Sequence, residues 1–336
     1  MNNNVTFLTF GDAVDESFKD SLGDIQILPI YKKIKYSNLK LIRFLKSFIV
    51  PFYFKNDFAE IQVVKTNQLL GSWVAIIIKY LIGKPLMIRT GYDLFKFKIK
   101  QSSNIFIIIF SYILTLISLN LCNIYTTTSL EDYQYLKKNY FFKSKKLHLL
   151  PNWVEDISFP ESANRYSNRV LMVGRLEPQK NFHKIIEILK GTDIEIDIYG
   201  DGSQRQSLLK KSKDYKVNLN LMGTVDNQDL LKIYPKYKLF ISTSLYEGNP
   251  KTILEAMSQG CLVLSLENKS TGSLLKNGIN SITFKNEDSE VAKTVYHILN
   301  NFTNYKKIRN KAYQEVIQNN SLDNICNKEI TLLGKI

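Results

Sequence analysis

The chain runs to 336 residues, 44% of them apolar and 23% charged. That suits about two domains of ~150 residues with real cores and excludes a disordered or collagen-like chain. The net charge is +14, and its excess lies in residues 1–150, which hold 20 basic and 10 acidic side chains against 25 and 21 in the remainder; the first half therefore seeks an anionic partner such as a membrane surface, a phosphate-bearing acceptor or nucleic acid.

In chain order, Val5–Phe10 is a β-rich run ending at Gly11, and Ile25–Pro29 reads as a second strand. Glu60–Val64 and Pro85–Arg89 are further strands around a helical segment, Leu69–Leu81. Ile124–Thr127 is a strand, and Ser129-Leu130-Glu131-Asp132 is a capping-box-like opening to a helix near 130–138. Leu147–Leu150, Pro151-Asn152-Trp153 and the polar stretch Glu161–Asn168 read as a linker. The alternation then restarts. Strands are expected at Val170–Val173, Ile194–Tyr199, Leu219–Met222, Leu239–Ser242 and Leu262–Leu266. Helices are expected at Asn181–Lys190, Ser203–Lys213, Asp226–Tyr234 and Pro250–Gln259, with a polar, helical final stretch of ~40 residues. Alternating strands and helices predict βαβ units, parallel sheets and two α/β halves.

Two segments of the first half stand apart. Tyr31–Phe54 mixes six lysines and arginines with aromatic residues, a pattern suited to an anionic bilayer or to a surface helix facing a core. Gln101–Leu130 is free of charge down to its last residue, and its apolar centre Ile105–Leu121 is interrupted by Ser111, Thr115 and Ser118. At 17 residues it lies at the lower limit for a span, and a packed helix with a face dipping into lipid fits it better. The cysteines Cys122, Cys261 and Cys326 are odd in number and far apart, and His148, His183 and His297 do not cluster. A disulfide framework or His-rich metal site is not expected, and a reducing compartment fits. The start Met1-Asn2-Asn3-Asn4 opens no basic, apolar leader, so a cytoplasmic location is expected.

The chemistry concentrates in Tyr246-Glu247-Gly248-Asn249-Pro250-Lys251-Thr252-Ile253-Leu254-Glu255-Ala256-Met257. Asn249 fits an N-cap and Pro250 a first helical position, so backbone amides from Gly248 to Thr252 would point out of a helix N-terminus. Such an end binds phosphate through free N–H groups and the helix dipole. Glu255, behind it, suits vicinal hydroxyls. Val173-Gly174-Arg175-Leu176-Glu177-Pro178-Gln179-Lys180-Asn181 follows a strand, and Arg175 and Lys180 there could clamp a diphosphate. Tyr199-Gly200-Asp201-Gly202-Ser203 is a tight strand-to-helix turn, weak evidence by itself.

In this order these segments resemble the donor domain of the retaining glycosyltransferases of family 4, which have the GT-B fold and a Glu-x7-Glu motif. The resemblance covers about 110 residues closely, with its motifs running from Gly174 to Ala256, and Pro151-Asn152-Trp153 resembles the family's domain junction. It implies two facing Rossmann-like domains with parallel sheets: 1–155 for the acceptor, a linker at 156–168, 169–310 for the donor, and helices at 311–336 crossing back. It implies that Arg175 and Lys180 hold the donor diphosphate, Glu255 the ribose hydroxyls and Glu247 the transferred sugar. Gly248, Asn249, Pro250, Lys251 and Thr252 would hold sugar and phosphate, with Gly200 beside them and Thr224 and Val225 near the base. Arg175, Lys180 and Glu247 are the catalytic candidates. No metal and no other cofactor is expected. Gly11, Lys65, Asn67, Arg89, Tyr92 and Asp93, near strand ends of the first half, are acceptor-side candidates.

The function expected is transfer of a hexose-type sugar from a nucleoside diphosphate, uridine ahead of guanosine, to a lipid-linked or saccharide acceptor. The setting would be assembly of a cell-surface polysaccharide such as lipopolysaccharide, O-antigen or capsule, with peripheral contact to anionic membrane. A GT-B sugar-nucleotide epimerase or hydrolase is the alternative. A basic nucleic-acid-binding protein ranks below it, since no base-reading motif supports it.

Overall fold

The computed structural model describes residues 4–18, 25–101, 103–155, 159, 164–286 and 290–336. In the first half, β1 (Thr6–Thr9) and β2 (Gln26–Pro29) form a parallel pair. A separate parallel sheet holds β3 (Val64–Thr66), β4 (Leu86–Thr90), β5 (Ile124–Thr127) and β6 (Leu147–Leu149), in that order. The helices of this half are α1 (Lys40–Ser47), α2 (Val50–Tyr53), α3 (Ser72–Ile82), α4 (Leu94–Lys100), α5 (Ile105–Leu121) and α6 (Leu130–Asn139). Leu86, Ile88, Tyr125 and Leu147 point to one side of the sheet and bury against Ala75, Leu114, Leu119 and Leu136. The capping expected at Ser129 is present: its hydroxyl accepts the Asp132 N–H at 3.1 Å.

The second half is built on six parallel strands: β7 (Tyr166–Val173), β8 (Glu195–Tyr199), β9 (Asn218–Gly223), β10 (Tyr237–Ser242), β11 (Leu262–Leu266) and β12 (Ile282–Phe284). Around them lie α7 (His183–Ile188), α8 (Arg205–Tyr215), α9 (Asn227–Ile233), α10 (Lys251–Ser258), α11 (Val291–Asn300), α12 (Lys306–Asn320) and α13 (Leu322–Leu333). The strand order is β12-β11-β10-β7-β8-β9. The chain thus winds outward from β7 to β9, then returns to the other side of β7 with β10. Such a reversal leaves a crevice outside the carboxyl ends of β7 and β10, where ligands of open α/β sheets bind.

α13 leaves the second half and packs Ile325 and Leu332 on Met87, Ile124 and Leu150, on the opposite side of the first sheet. The junction is stitched where Val154 N donates to the Asn320 carbonyl at 2.8 Å and Asn320 Nδ2 donates to the Asn152 carbonyl at 2.7 Å.

Several expectations shift. Leu147–Leu150 is the edge of the sheet rather than linker, because its backbone finds an open partner in β5. The strand expected at Glu60–Val64 starts at Val64, where pairing with Leu86 becomes available. The three-residue β12 was not expected; it pairs with β11 through Leu264 and Ile282. Of the expected linker 156–168, residues 156–158 and 160–163 lie outside the described residues, as do Met1–Asn3 of the expected leaderless start. α5 has the bounds of the apolar segment, and no helix among the described residues is long and apolar enough to cross a membrane.

Candidate functional site

The loop after β7 and the loop after β10 meet at the crevice. Thr243 Oγ1 donates to the carbonyls of Lys180 and Asn181 at 3.0 and 2.9 Å. Leu245 N donates to the Gln179 carbonyl at 2.9 Å, and Gln179 Nε2 donates to the Tyr246 carbonyl at 2.9 Å. These bonds set Lys180 Nζ 2.5 Å from Glu247 Oε1. The Glu247 N–H is anchored by Ser270 Oγ at 3.0 Å, which in turn donates to Asn268 Oδ1. Lys180 and Glu247 are thus a positioned ion pair, mostly screened from water and open to the crevice.

Behind them stands α10. The N–H groups of Gly248, Asn249, Lys251 and Thr252 donate to no protein acceptor among the described residues. Pro250 carries no N–H and is itself the N-cap, so four amides rather than five are left without a protein acceptor among the described residues. Asn249 is not the N-cap. Its side-chain oxygen accepts the Asn152 N–H at 2.8 Å and its carbonyl accepts Asn152 Nδ2 at 2.6 Å, so it ties the loop before α10 to the junction between the halves. The residue is spent on that contact because proline after it already fixes the extended entry that a cap needs.

Glu255 is 1% exposed. One carboxylate oxygen accepts the Tyr234 hydroxyl at 3.0 Å; the other has no hydrogen-bond partner and lies 3.6 Å from Lys251 Nζ. Burial raises its pKa, with Lys251 and Tyr234 opposing. The second oxygen is compensated by the Lys251 charge but accepts no hydrogen bond, so it keeps capacity for a further donor.

The glycines of the second motif act by close approach. A methyl group at Gly200, where φ is +141°, would lie 2.0 Å from the Gly174 carbonyl oxygen, and one at Gly202 would lie 2.7 Å from that of Leu176. This lets the loops after β7 and β8 stack backbone to backbone and leaves Arg175 exposed at the rim. Thr224 and Val225 are exposed just beyond Gly223, whose carbonyl accepts the Gly200 N–H at 2.7 Å.

The first-half candidates divide. Tyr92 reaches the site through Phe97, on which its ring lies tilted and which meets Tyr246 edge-on at 5.5 Å; beside it Gly91, not a candidate, lies so close that a methyl group at Gly248 would be 2.3 Å from its carbonyl oxygen. Asp93 is buried as the N-cap of α4, accepting the Lys96 N–H at 2.7 Å. Burial pushes its pKa up to about 6. Lys65 and Arg89 turn to Glu329 of α13, and Arg89 also donates to the Pro151 carbonyl at 3.1 Å. Burial lowers the Arg89 pKa, with Glu329 opposing. Gly11 accepts the Tyr31 N–H at 3.2 Å through its carbonyl, and Asn67 is exposed after β3. Sequence reasoning missed Gln179, Tyr234, Thr243 and Ser270. Each acts on a backbone or carboxylate atom distant in the chain, so spacing carries no signal for it. Among the described residues no three His, Cys, Asp or Glu side chains converge to hold a metal ion.

Residues 154–315 match the family model described as glycosyl transferases group 1. The chain is 29% identical over 145 residues to the amylovoran biosynthesis glycosyltransferase AmsD of Erwinia amylovora, covering 39% of this chain and 41% of that one. It is 28% identical over 207 residues to the GalNAc-alpha-(1->4)-GalNAc-alpha-(1->3)-diNAcBac-PP-undecaprenol alpha-1,4-N-acetyl-D-galactosaminyltransferase of Campylobacter jejuni, covering 59% and 56%. The chain thus spans about half the length of these relatives. Among solved structures, Anabaena Alr3699/HepE in complex with UDP-glucose superposes with a TM-score of 0.78 at 15% identity, over 98% of this chain and 92% of that one. The architecture is the GT-B fold, and the named relatives support a transferase.

Proposed function

We propose that the chain is a retaining glycosyltransferase, nearest to family 4, that moves a hexose-type sugar from a nucleoside diphosphate to a lipid-linked or saccharide acceptor in cell-surface polysaccharide assembly. The observation that carries this reading is the buried Glu255 oxygen that accepts no hydrogen bond and faces only the Lys251 ammonium at 3.6 Å, together with four N–H groups that donate to no protein acceptor among the described residues and the Lys180–Glu247 pair alongside. A ribose hydroxyl satisfies Glu255. The diphosphate takes the free amides, Lys180 and Arg175, which together stabilise the charge that develops on the leaving phosphate. Lys180, drawn to phosphate, loosens its hold on Glu247, which then accepts from hydroxyls of the transferred sugar. The incoming acceptor hydroxyl gives its proton to the departing phosphate oxygen on the same face, which gives retention.

Uridine diphosphate is the favoured carrier, in line with the UDP-glucose bound by the Anabaena protein. A polyprenyl diphosphate acceptor is in line with the name of the Campylobacter relative, and lipopolysaccharide, O-antigen or capsule are the product classes. The reaction needs no metal, and the protein works peripherally at the cytoplasmic membrane face without nucleic acid. The epimerase or hydrolase alternative is not favoured, because the named relatives are transferases.

The test is thermal stabilisation by UDP, GDP, ADP, CMP and their sugars, with and without EDTA, for the intact protein and for Arg175→Ala and Glu255→Ala. The expected result is a rise with one diphosphate, indifferent to EDTA and lost in both variants. No response to any nucleotide would remove the donor assignment.

A further inference from the structure

α5 is turned inside out for a helix on a water-facing surface. Its hydroxyl residues Ser111, Thr115 and Ser118, spaced i, i+4, i+7, are each at most 1% exposed and face the protein. Ser111 Oγ and Thr115 Oγ1 donate to the carbonyls of Ile107 and Ser111 at 2.7 and 2.8 Å, and Ser118 Oγ meets Ser72 Oγ of α3 at 2.9 Å. The opposite face is apolar and uncovered: Phe106 is 78% exposed, with Ile109, Ile113 and Ile117 following it one turn apart. A helix in contact with water reverses this arrangement. Here Ser111, Thr115 and Ser118 share the inward face with Leu114 and Leu119 while large aliphatic residues stand outward, an order that an apolar medium permits and water does not.

α1 repeats the inversion. Ser47 is buried and accepts the Trp73 Nε1 hydrogen at 2.8 Å, while Leu41, Leu45 and Phe48 are exposed, Leu41 to 69%. The two faces join, since Phe44 meets Phe110 at 6.1 Å and both meet Trp73. The result is one contiguous apolar surface, far more than singly scattered exposed residues.

Charge identifies the occupant. From Ile25 to Asn56 the chain holds seven lysines and arginines and no acid. From Leu94 to Leu130 it holds Lys96, Lys98 and Lys100 and no acid; Lys96 pairs with Glu131 and Asp132, and Lys32 and Lys33 with Glu16 and Asp57, which leaves Lys35, Lys40, Arg43, Lys46, Lys98 and Lys100 without an acidic partner among the described residues. A second copy of this surface would set cation against cation, whereas anionic headgroups would neutralise the rim while acyl chains receive the centre.

We infer that α1 and the outer face of α5 form a bilayer-docking surface for anionic lipid, with α5 lying in the headgroup–acyl boundary rather than crossing it. The inference deepens the membrane part of the proposed function but rests on exposure and chemistry independent of the donor site. Docked in this way, the surface also lies near the catalytic loops. α4, which precedes α5, carries Phe97 against Tyr246 and Lys100 4.9 Å from the Tyr246 ring, next to Glu247.

Flotation with vesicles of phosphatidylcholine alone, and with about 30% phosphatidylglycerol, tests it. The intact protein is expected to float with the anionic vesicles at low salt and to do so less at high salt. The double variant Phe106→Ser/Ile113→Ser should lose about tenfold or more in binding, since each substitution removes a side chain from lipid and none from a core. Lys40→Gln/Lys98→Gln should weaken binding and flatten its salt dependence. Circular dichroism and the nucleotide-induced thermal shift should be unchanged in all of them. A folded, nucleotide-responsive protein that ignores anionic vesicles would overturn the inference while leaving the donor site standing. So would a dimer in solution that the double variant dissociates.

Discussion

Glu255, Glu247 and Lys180 are the single residues on which the proposed donor site turns, and each can be tested by substitution. The Glu255 carboxylate is buried with one oxygen that accepts no hydrogen bond and faces the partly exposed Lys251 ammonium at 3.6 Å, so replacing it by the neutral isostere relieves desolvation at the loss of one long ion pair. Glu255→Gln is expected to leave the melting temperature of the free protein equal or higher, and to weaken nucleotide binding about tenfold, read by calorimetry. Lys180→Met strands Glu247 without its partner; it should lower both turnover and stability, the latter by roughly 1–3 kcal/mol in denaturant titration. Asp93 supplies the pH dependence. Its pKa rises from 3.8 to about 6 through burial, so the folded protein holds this proton more tightly than the unfolded chain does. The stability from this group is complete below the unfolded value of 3.8 and is lost as pH rises through about 6. Asp93→Asn keeps an oxygen for the Lys96 N–H but cannot ionise. It should flatten the melting temperature across that window and add roughly 2–3 kcal/mol above it.

At the scale of elements, the second half was the more legible. Its central strands β10 and β11 are almost wholly buried and strongly apolar, and Leu262–Leu266 carries the expected bounds. The edges β6 and β12 were misread because three residues carry no period, and only a neighbouring strand decides whether they pair. The same limit hid the use of Asn249: a residue of cap type before proline reads as a cap until Asn152 is seen opposite it. Gly248 makes the point testable. With a methyl group 2.3 Å from the Gly91 carbonyl oxygen, Gly248→Ala cannot keep the two loops in contact. Turnover is expected to fall about tenfold or more, with a stability loss of roughly 1–3 kcal/mol, since the displacement falls between the reacting groups.

Over the whole molecule, α13 is the strap that binds the second half to the first. Glu329 neutralises Lys65 and Arg89, and Arg89 is largely withdrawn from water. Glu329→Gln should loosen α13, lowering stability by about 1–3 kcal/mol and raising hydrogen exchange across Leu322–Leu333 ahead of the rest. Lys65 and Arg89 lie near strand ends, which is why sequence reasoning offered them to the acceptor. Their partner is 240 or more residues away along the chain, beyond any local pattern.

The sequence by itself determined the alternation of strands and helices, the parallel sheets, the glycine turns, and the Glu247–Glu255 motif at a helix start. These follow from local periodicity, backbone freedom and capping, which act within a few residues. The tertiary structure alone decided which strands adjoin, and so where the crevice lies. It alone left one Glu255 oxygen unsatisfied, drew Lys180 onto Glu247 and gave Asn249 to the junction. It alone turned the polar face of α5 inward. Those outcomes depend on burial and on partners brought together by folding, and local sequence has no access to either.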